Sequence, residues 1–192
     1  VSQQVLHLDF ISLSSEAGPD GRSQILEAAA QLAALPQVVG LGAIEADAAT
    51  GSDFDLAFYF LLPEFTALEP FGTDTRYAGF LQGAVAPHLR AFAGADVRLE
   101  AGLATEGGKA ACLAIAAPEE TYDWEVSEAL QAWCEATGAT SSATGLAVGE
   151  KQLYRGAALV FGDAPAVIER PAAERFHSTL IAGTARPFPA RT

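Results

Sequence analysis

Asp53-Phe54-Asp55-Leu56-Ala57-Phe58-Tyr59-Phe60-Leu61-Leu62 is the clearest strand in the chain. At a two-residue period Phe54, Leu56, Phe58 and Phe60 fall on one face, and Asp53, Asp55, Ala57 and Tyr59 on the other. A face made wholly of aromatic and aliphatic groups demands a covering layer. Pro63 closes the strand, because it cannot donate to a ladder. Towards the N-terminus, residues 47–52 are small and turn-forming, and they join this strand to another over residues 38–45. Before that, Ile25, Ala29 and Leu32 recur at helical spacing in a helix expected over residues 22–35, opened by the break Gly18-Pro19-Asp20-Gly21 and ended by Pro36. Residues 5–13 alternate as a first strand, with Leu6, Leu8 and Phe10 on one face and Val5, His7, Asp9 and Ile11 on the other. After Pro63, a long segment through Tyr77 leads into a helix ending near Phe92, and residues 95–100 return as a fourth strand.

The second half repeats this order. Residues 110–117 read as a strand. A helix follows over 123–137, with Trp124, Leu130, Trp133 and Cys134 as its buried stripe and Gly138 as its stop. Residues 142–148 and 155–161 form a hairpin, a helix broken or started by Pro171 runs to about Ile181, and 184–188 are the last strand. Short stretches match as well: Val39-Gly40-Leu41 with Thr144-Gly145-Leu146, and His88 five before Ala93-Gly94 with His177 five before Ala182-Gly183.

A β-α-β-β-α-β unit is the split βαβ, or ferredoxin-like, arrangement: a four-stranded antiparallel sheet with both helices on one face. On this reading the helices cover Leu6, Leu8, Phe10, Phe54, Leu56, Phe58 and Phe60. The opposite face still carries Val5, Ile11, Tyr59 and Leu61, a patch that a monomer rarely leaves bare. The expected fold is therefore α+β, with two ferredoxin-like units packed sheet to sheet as a pseudo-dimeric α+β barrel. Residues 1–102 form the first unit, 103–109 a glycine-rich linker, and 110–192 a diverged second unit. The chain then meets its own need for a partner as an intramolecular pseudo-dimer, with further dimerisation left open.

Composition narrows the partners. The 192 residues carry a net charge of −13, which repels phosphate backbones and anionic lipid, so neither nucleic acid nor membrane surfaces are expected partners. No apolar run reaches the roughly 18 residues of a membrane span, and no basic-then-apolar leader opens the sequence. Cys112 and Cys134 lack CxxC spacing and read as buried thiols. A cytoplasmic protein is expected from these features. There is no GxGxxG, no P-loop, no nucleophile elbow and no HExxH, so no cofactor and no metal site is expected.

Val5-Leu6-His7-Leu8 opening a strand, Phe54-Asp55-Leu56-Ala57 in the third, and Tyr77 at the entry to the second helix resemble the stress-responsive A/B barrel (Dabb) family of dimeric α+β barrels. The resemblance covers residues 1 to about 100. Over the second half it rests on element order and the internal repeat. Family members usually carry one unit per chain, so a tandem chain would build the barrel internally. The resemblance also implies a function, since the family includes a plant polyketide cyclase with a first-strand histidine and a Tyr-x-x-His-Pro-x-His segment. His7 and Tyr77 match, but Phe80, Leu81 and Gly83 stand where His, Pro and His should be.

His7 and Asp9, two apart on one strand, are expected to point into the space between the sheets, with Asp55, Tyr59 and Asp53 beside them. A histidine near a carboxylate is a reasonable general base, and the same groups equally well hydrogen-bond one another as structure. Tyr77 either donates to a ligand or packs. The expected ligand is a small apolar or aromatic molecule held by His7, Asp9, Asp55, Tyr59 and Tyr77 between the sheets. The alternatives are a non-catalytic protein with a filled barrel, and a cyclase-like or proton-transfer enzyme using His7 with Tyr77. His88 and His177 are expected in the last turns of helices, and Cys112 in the place of His7 in the second unit.

Overall fold

A computed structural model describes residues 4–103, 106–149, 152–162, 170–171 and 175–189. Eight strands close one antiparallel barrel in the order β1-β3-β2-β8-β5-β7-β6-β4. They are β1 (Val5–Leu13), β2 (Gly40–Ala46), β3 (Leu56–Leu62), β4 (Leu89–Leu99), β5 (Gly108–Ala116), β6 (Ser141–Ala147), β7 (Gly156–Phe161) and β8 (His177–Pro187). The first four make a sheet in the order β4-β1-β3-β2, and the second four repeat it as β8-β5-β7-β6. The duplicated βαββαβ reading therefore holds at the level of the sheet. The two units join at two seams, β2 with β8 over five residue pairs and β4 with β6 over three.

Inside the barrel, Leu6, Leu8, Phe10, Tyr59, Val97, Cys112, Leu159 and Ile181 belong to one buried cluster. Aromatic rings meet within it, Phe10 with Tyr154 at 5.9 Å and Tyr59 with Phe161 at 5.7 Å between centroids. An eight-stranded barrel is narrow enough for side chains to fill it in this way. Gly42 shows how tight the packing is: a Cβ there would fall 2.1 Å from Tyr59 Oη.

The outer face of the first sheet is covered by helix α1 (Gly18–Gln31) and by a broken helical segment. That segment contains α2 (Leu68–Gly72), α3 (Thr75–Gly79), a π-helical turn over Phe80–Val85 and a 3-10 turn over Ala86–His88. Helix α4 (Asp123–Thr137) covers the second sheet. It ends where expected, at Gly138 in the left-handed conformation (φ 66°) that glycine adopts without strain.

Four expectations change. First, Leu6, Leu8 and Phe10 line the barrel, while Val5, His7, Asp9 and Ile11 face the helices. The register forces this: Leu8 lies opposite Tyr59 and His7 opposite Phe60, so once β3 is oriented β1 has no choice. Both faces of β1 are buried, so an apolar face did not have to be the helix-covered one. Second, Gly18-Pro19-Asp20-Gly21 begins α1 instead of preceding it. Proline is tolerated in a first helical turn, and the missing side chain of Gly21 leaves room for His88, whose Nδ1 would lie 2.9 Å from a Cβ there. Third, strands replace the ends of both predicted second helices: β4 starts at Leu89 and β8 at His177. His88 does end a helical segment, whereas His177 opens a strand. Residues 163–169 and 172–174 of the predicted second-unit helix lie outside the described residues. Fourth, Trp124 is 63% exposed and Val126 takes its place in the buried stripe of α4.

Candidate functional site

His7 stands near the start of β1, with Phe60 of β3 opposite on one side and Asp96 of β4 opposite on the other. Antiparallel pairing puts side chains of opposed residues on the same face, so the ladder itself delivers Asp96 to the imidazole. His7 Nδ1 donates to Asp96 Oδ1 at 2.6 Å. Its Nε2 lies 2.9 Å from Tyr77 Oη and 3.2 Å from Asp9 Oδ1. The Tyr77 hydroxyl donates in turn to Asp9 Oδ2 at 2.9 Å. Asp74 caps α3 by accepting from the Arg76 backbone N–H, which fixes the short helix that brings Tyr77 over the sheet. Rings enclose the imidazole, with centroids 5.1 Å away at Phe71, 5.6 Å at Tyr77 and 5.7 Å at Phe60.

The charge state follows from these partners. Burial alone would favour the neutral ring. The charge of Asp9, hydrogen bonding to Asp9 and Asp96, and the charge of Asp96 together outweigh it and raise the His7 pKa to about 10. His7 is thus an imidazolium at neutral pH with both N–H groups engaged. For Tyr77, burial and then the charge of Asp9 push the phenol well above its ordinary range, so it stays protonated. Asp9 is completely buried, and its position between Tyr77 and His7 supplies the partners a buried carboxylate needs.

The expected site residues separate into three places. His7, Asp9 and Tyr77 come together, on the helix side of the sheet and not between the sheets. Tyr59 lies inside the barrel with its hydroxyl buried and unpartnered among the described residues, and burial raises its pKa. Asp55 sits at the other end of β3, where it accepts from the Leu13 backbone N–H at 2.7 Å and lies 4.0 Å from Arg22. Asp53 pairs with Arg170 at 2.9 Å and accepts from the Leu180 N–H, fastening β8. Cys112 is not the counterpart of His7: it lies in the barrel interior, and the helix face of β5 carries Ala111, Leu113 and Ile115. The His7–Asp9–Tyr77–Asp96 cluster draws all its members from the first unit, and the equivalent face of β5 is apolar.

Asp96 was missed. Its signal was an ionisable residue flanked by Ala95 and Val97 in a strand, and reading it required the β1–β4 register. A cleft of about 540 Å³ opens over this cluster, lined by His7 and Asp96 and, from the segment before α3, by Phe65, Thr66, Leu68, Glu69, Phe71 and Gly72. Val148, Gly149 and Gln152 of the second unit border it. Among the described residues no three His, Cys, Asp or Glu side chains are placed to hold a metal ion, and no helix is long and apolar enough to cross a membrane.

No family model matches the chain, and neither does any curated protein. Solved structures do. A candidate monooxygenase from Fusobacterium nucleatum aligns over 97% of this chain and 94% of its own, at 9% identity and a TM-score of 0.60. A mutant chlorite dismutase from Candidatus Nitrospira defluvii, in complex with cyanide, aligns over 97% and 92%, at 12% identity and a TM-score of 0.54. A Dabb-family protein with a ferredoxin-like fold from Mesorhizobium loti covers 53% of this chain and 98% of its own, at 14% identity and a TM-score of 0.43, too low to bear on the fold. At such identities the full-length matches show the ferredoxin-like barrel architecture and carry no activity with it.

Proposed function

We propose that this protein is a tandem, Dabb-like barrel that binds a small, largely apolar or aromatic molecule in the cleft over His7, on the outside of the barrel. The observation that carries the reading is the cleft itself: about 540 Å³, lined by Phe65, Leu68 and Phe71 together with Thr66, Glu69 and a fixed His7–Asp96 pair. Of the two residues that carried the family resemblance, His7 lines it, and buried Tyr77 lies 2.9 Å from the His7 ring. Binding between the sheets finds no comparable support, because the interior is occupied by side chains.

A proton-transfer or cyclase-like role for His7 and Tyr77 draws support from the same hydrogen bond but meets an obstacle. An imidazolium with a pKa near 10 has no lone pair to accept a proton, and Phe80, where the family segment has histidine, is buried against Phe58. The cluster is better suited to hold charge in place than to move a proton.

Gly72 offers a clean test. Gly72 lines the cleft and a Cβ there meets nothing within 4 Å, so Gly72→Leu adds bulk at the cleft without a clash and is expected to obstruct it. Soaking crystals with a library of small aromatic fragments should give density over His7 in the parent and none there in Gly72→Leu. Fragments found only between the sheets would overturn the assignment.

A further inference from the structure

Three hollows follow one another along the outside of the β4–β6 seam. The cleft over His7 shares Phe65, Val148 and Gly149 with a second hollow, which contains Arg98, and that one shares Glu100 with a third against α4. Asp96 and Arg98 of β4 and Glu100 just after it line the three hollows in turn. Glu100 is committed, since it accepts from Ser127, Gln131 and Thr144. Arg98 lies over the Phe65 ring at 5.9 Å and lines the second hollow, not the first.

The first cleft therefore has an unusual balance. Among the described residues that line it, the only cationic side chain is His7, and both His7 N–H groups are already donated to Asp96 and to Tyr77 or Asp9. Its carboxylates are not exhausted. Asp96 accepts through Oδ1, while its Oδ2 has no hydrogen-bond partner among the described residues, and its side chain is 23% exposed. Glu69 also borders the cleft and has no ion-pair partner among the described residues. With Asp9 beneath the ring, the cleft and its floor hold three carboxylates and one imidazolium. Phe65 and Phe71 also line the cleft; their rings pack apolar bodies, and an aromatic face attracts a cation, as Arg98 over the Phe65 ring shows.

We infer that the cleft over His7 recognises an organic amine: an ammonium group accepted by Asp96 Oδ2 and Glu69, carried on an aromatic or branched aliphatic body that packs on Phe65 and Phe71. This rests on the proposal that the cleft is the ligand site, and it names the ligand's chemical class. A carboxylate or phosphate would meet the like charge of Asp96 and Glu69, against which the described lining sets only the neutral donors of Thr66 and Gln152. An amine replaces its hydration with charge-assisted hydrogen bonds, and the acidity of the whole chain raises its local concentration.

Three probes that share a phenethyl body separate the possibilities: 2-phenylethylamine, 2-phenylethanol and 3-phenylpropionate, titrated calorimetrically at physiological salt into the parent, Glu69→Gln and Gly72→Leu. The amine should bind about tenfold or more tightly than the alcohol, the carboxylate should not bind, Glu69→Gln should weaken the amine roughly three- to tenfold, and Gly72→Leu should abolish it. Alcohol or carboxylate binding as tightly as the amine, and lost in Gly72→Leu, would overturn the amine class while supporting the cleft. Amine binding that survives Gly72→Leu would mark general attraction to an acidic surface and overturn the inference. Silence from all three probes would overturn it too, leaving the cleft itself to the fragment soak.

Discussion

His7 and Asp96 face each other across the β1–β4 ladder with Nδ1 2.6 Å from Oδ1, although 89 residues separate them in sequence. That contact turns a strand histidine into a fixed cation. Asp9 lies beneath the ring and Asp96 beside it, so protonating His7 neutralises charge that would otherwise be buried unpaired. The ring is locked before any ligand arrives, which favours recognition by a preorganised surface.

The protonation state can be observed directly. In ring-nitrogen NMR spectra of the folded protein, His7 should remain doubly protonated through pH 8 and release its proton only as the pH approaches about 10. A midpoint near 6.5 would show that burial outweighs the two carboxylates.

Removing Asp9 should be costly. The carboxylate is fully buried and serves both Tyr77 and His7, so Asp9→Ala takes the acceptor from the Tyr77 hydroxyl and leaves the imidazolium with Asp96 as its remaining carboxylate; about 3 kcal/mol of unfolding free energy is expected to go. Tyr77→Phe removes one donor and keeps the ring packed against Phe71, so about 1–2 kcal/mol is expected. Denaturant melts that rank the two variants the other way would contradict the network.

Much of the fold was legible because local patterns and the internal repeat agreed. The bounds of α4 and its glycine stop followed from residues 123–138 alone. The facing of β1 did not, because in a closed barrel under helices both faces of a strand are buried, and only pairing with Tyr59 and Phe60 tells Leu8 from His7. Nor did β8: Leu180 and Ala182 pack on the helix side, and Ile181 and Ala185 in the barrel. That is a period of two which the nearby Pro171 had suggested reading as helix. Asp96 was invisible for a related reason, since its chemistry comes from a partner 89 residues away.

Tyr59 makes an opposite kind of prediction. Its hydroxyl is buried in the barrel against Gly42 and finds no partner among the described residues. Tyr59→Phe should therefore leave stability unchanged or raise it by up to about 1 kcal/mol, because nothing is lost except a desolvated polar group. A loss of more than about 1 kcal/mol in thermal or denaturant unfolding would reveal a bound water or another partner for the hydroxyl.

The seams predict how fragments behave. Residues 1–102 contain β1 to β4 but lose β8 and β6, which exposes the free edges of β2 and β4 and the apolar interior formed by Leu6, Leu8, Phe10, Tyr59 and Val97. Such a sheet should pair with another copy. Light scattering should find the fragment self-associated or insoluble, with the whole chain substantially monomeric at low concentration. A well-behaved monomeric fragment would be incompatible with an interior shared by the two units.

Stability should also fall on the alkaline side, with His7 as the cause. Its pKa is about 10 in the folded protein and near 6.5 when unfolded, so between these values the native state holds a proton that the unfolded chain has released. Stability depends on pH through that difference, with a sign that makes the folded state lose ground as the pH rises. The His7 contribution is fully present below about pH 6.5, declines above it, and is gone once the pH passes about 10. A few kcal/mol at most is expected over this range. Comparing the parent with His7→Gln isolates the effect, since glutamine can still donate a hydrogen bond but cannot titrate. The parent's unfolding free energy should drop from pH 7 to pH 9.5 by clearly more than the variant's, and parallel curves would mean that the imidazole is not the cation described above.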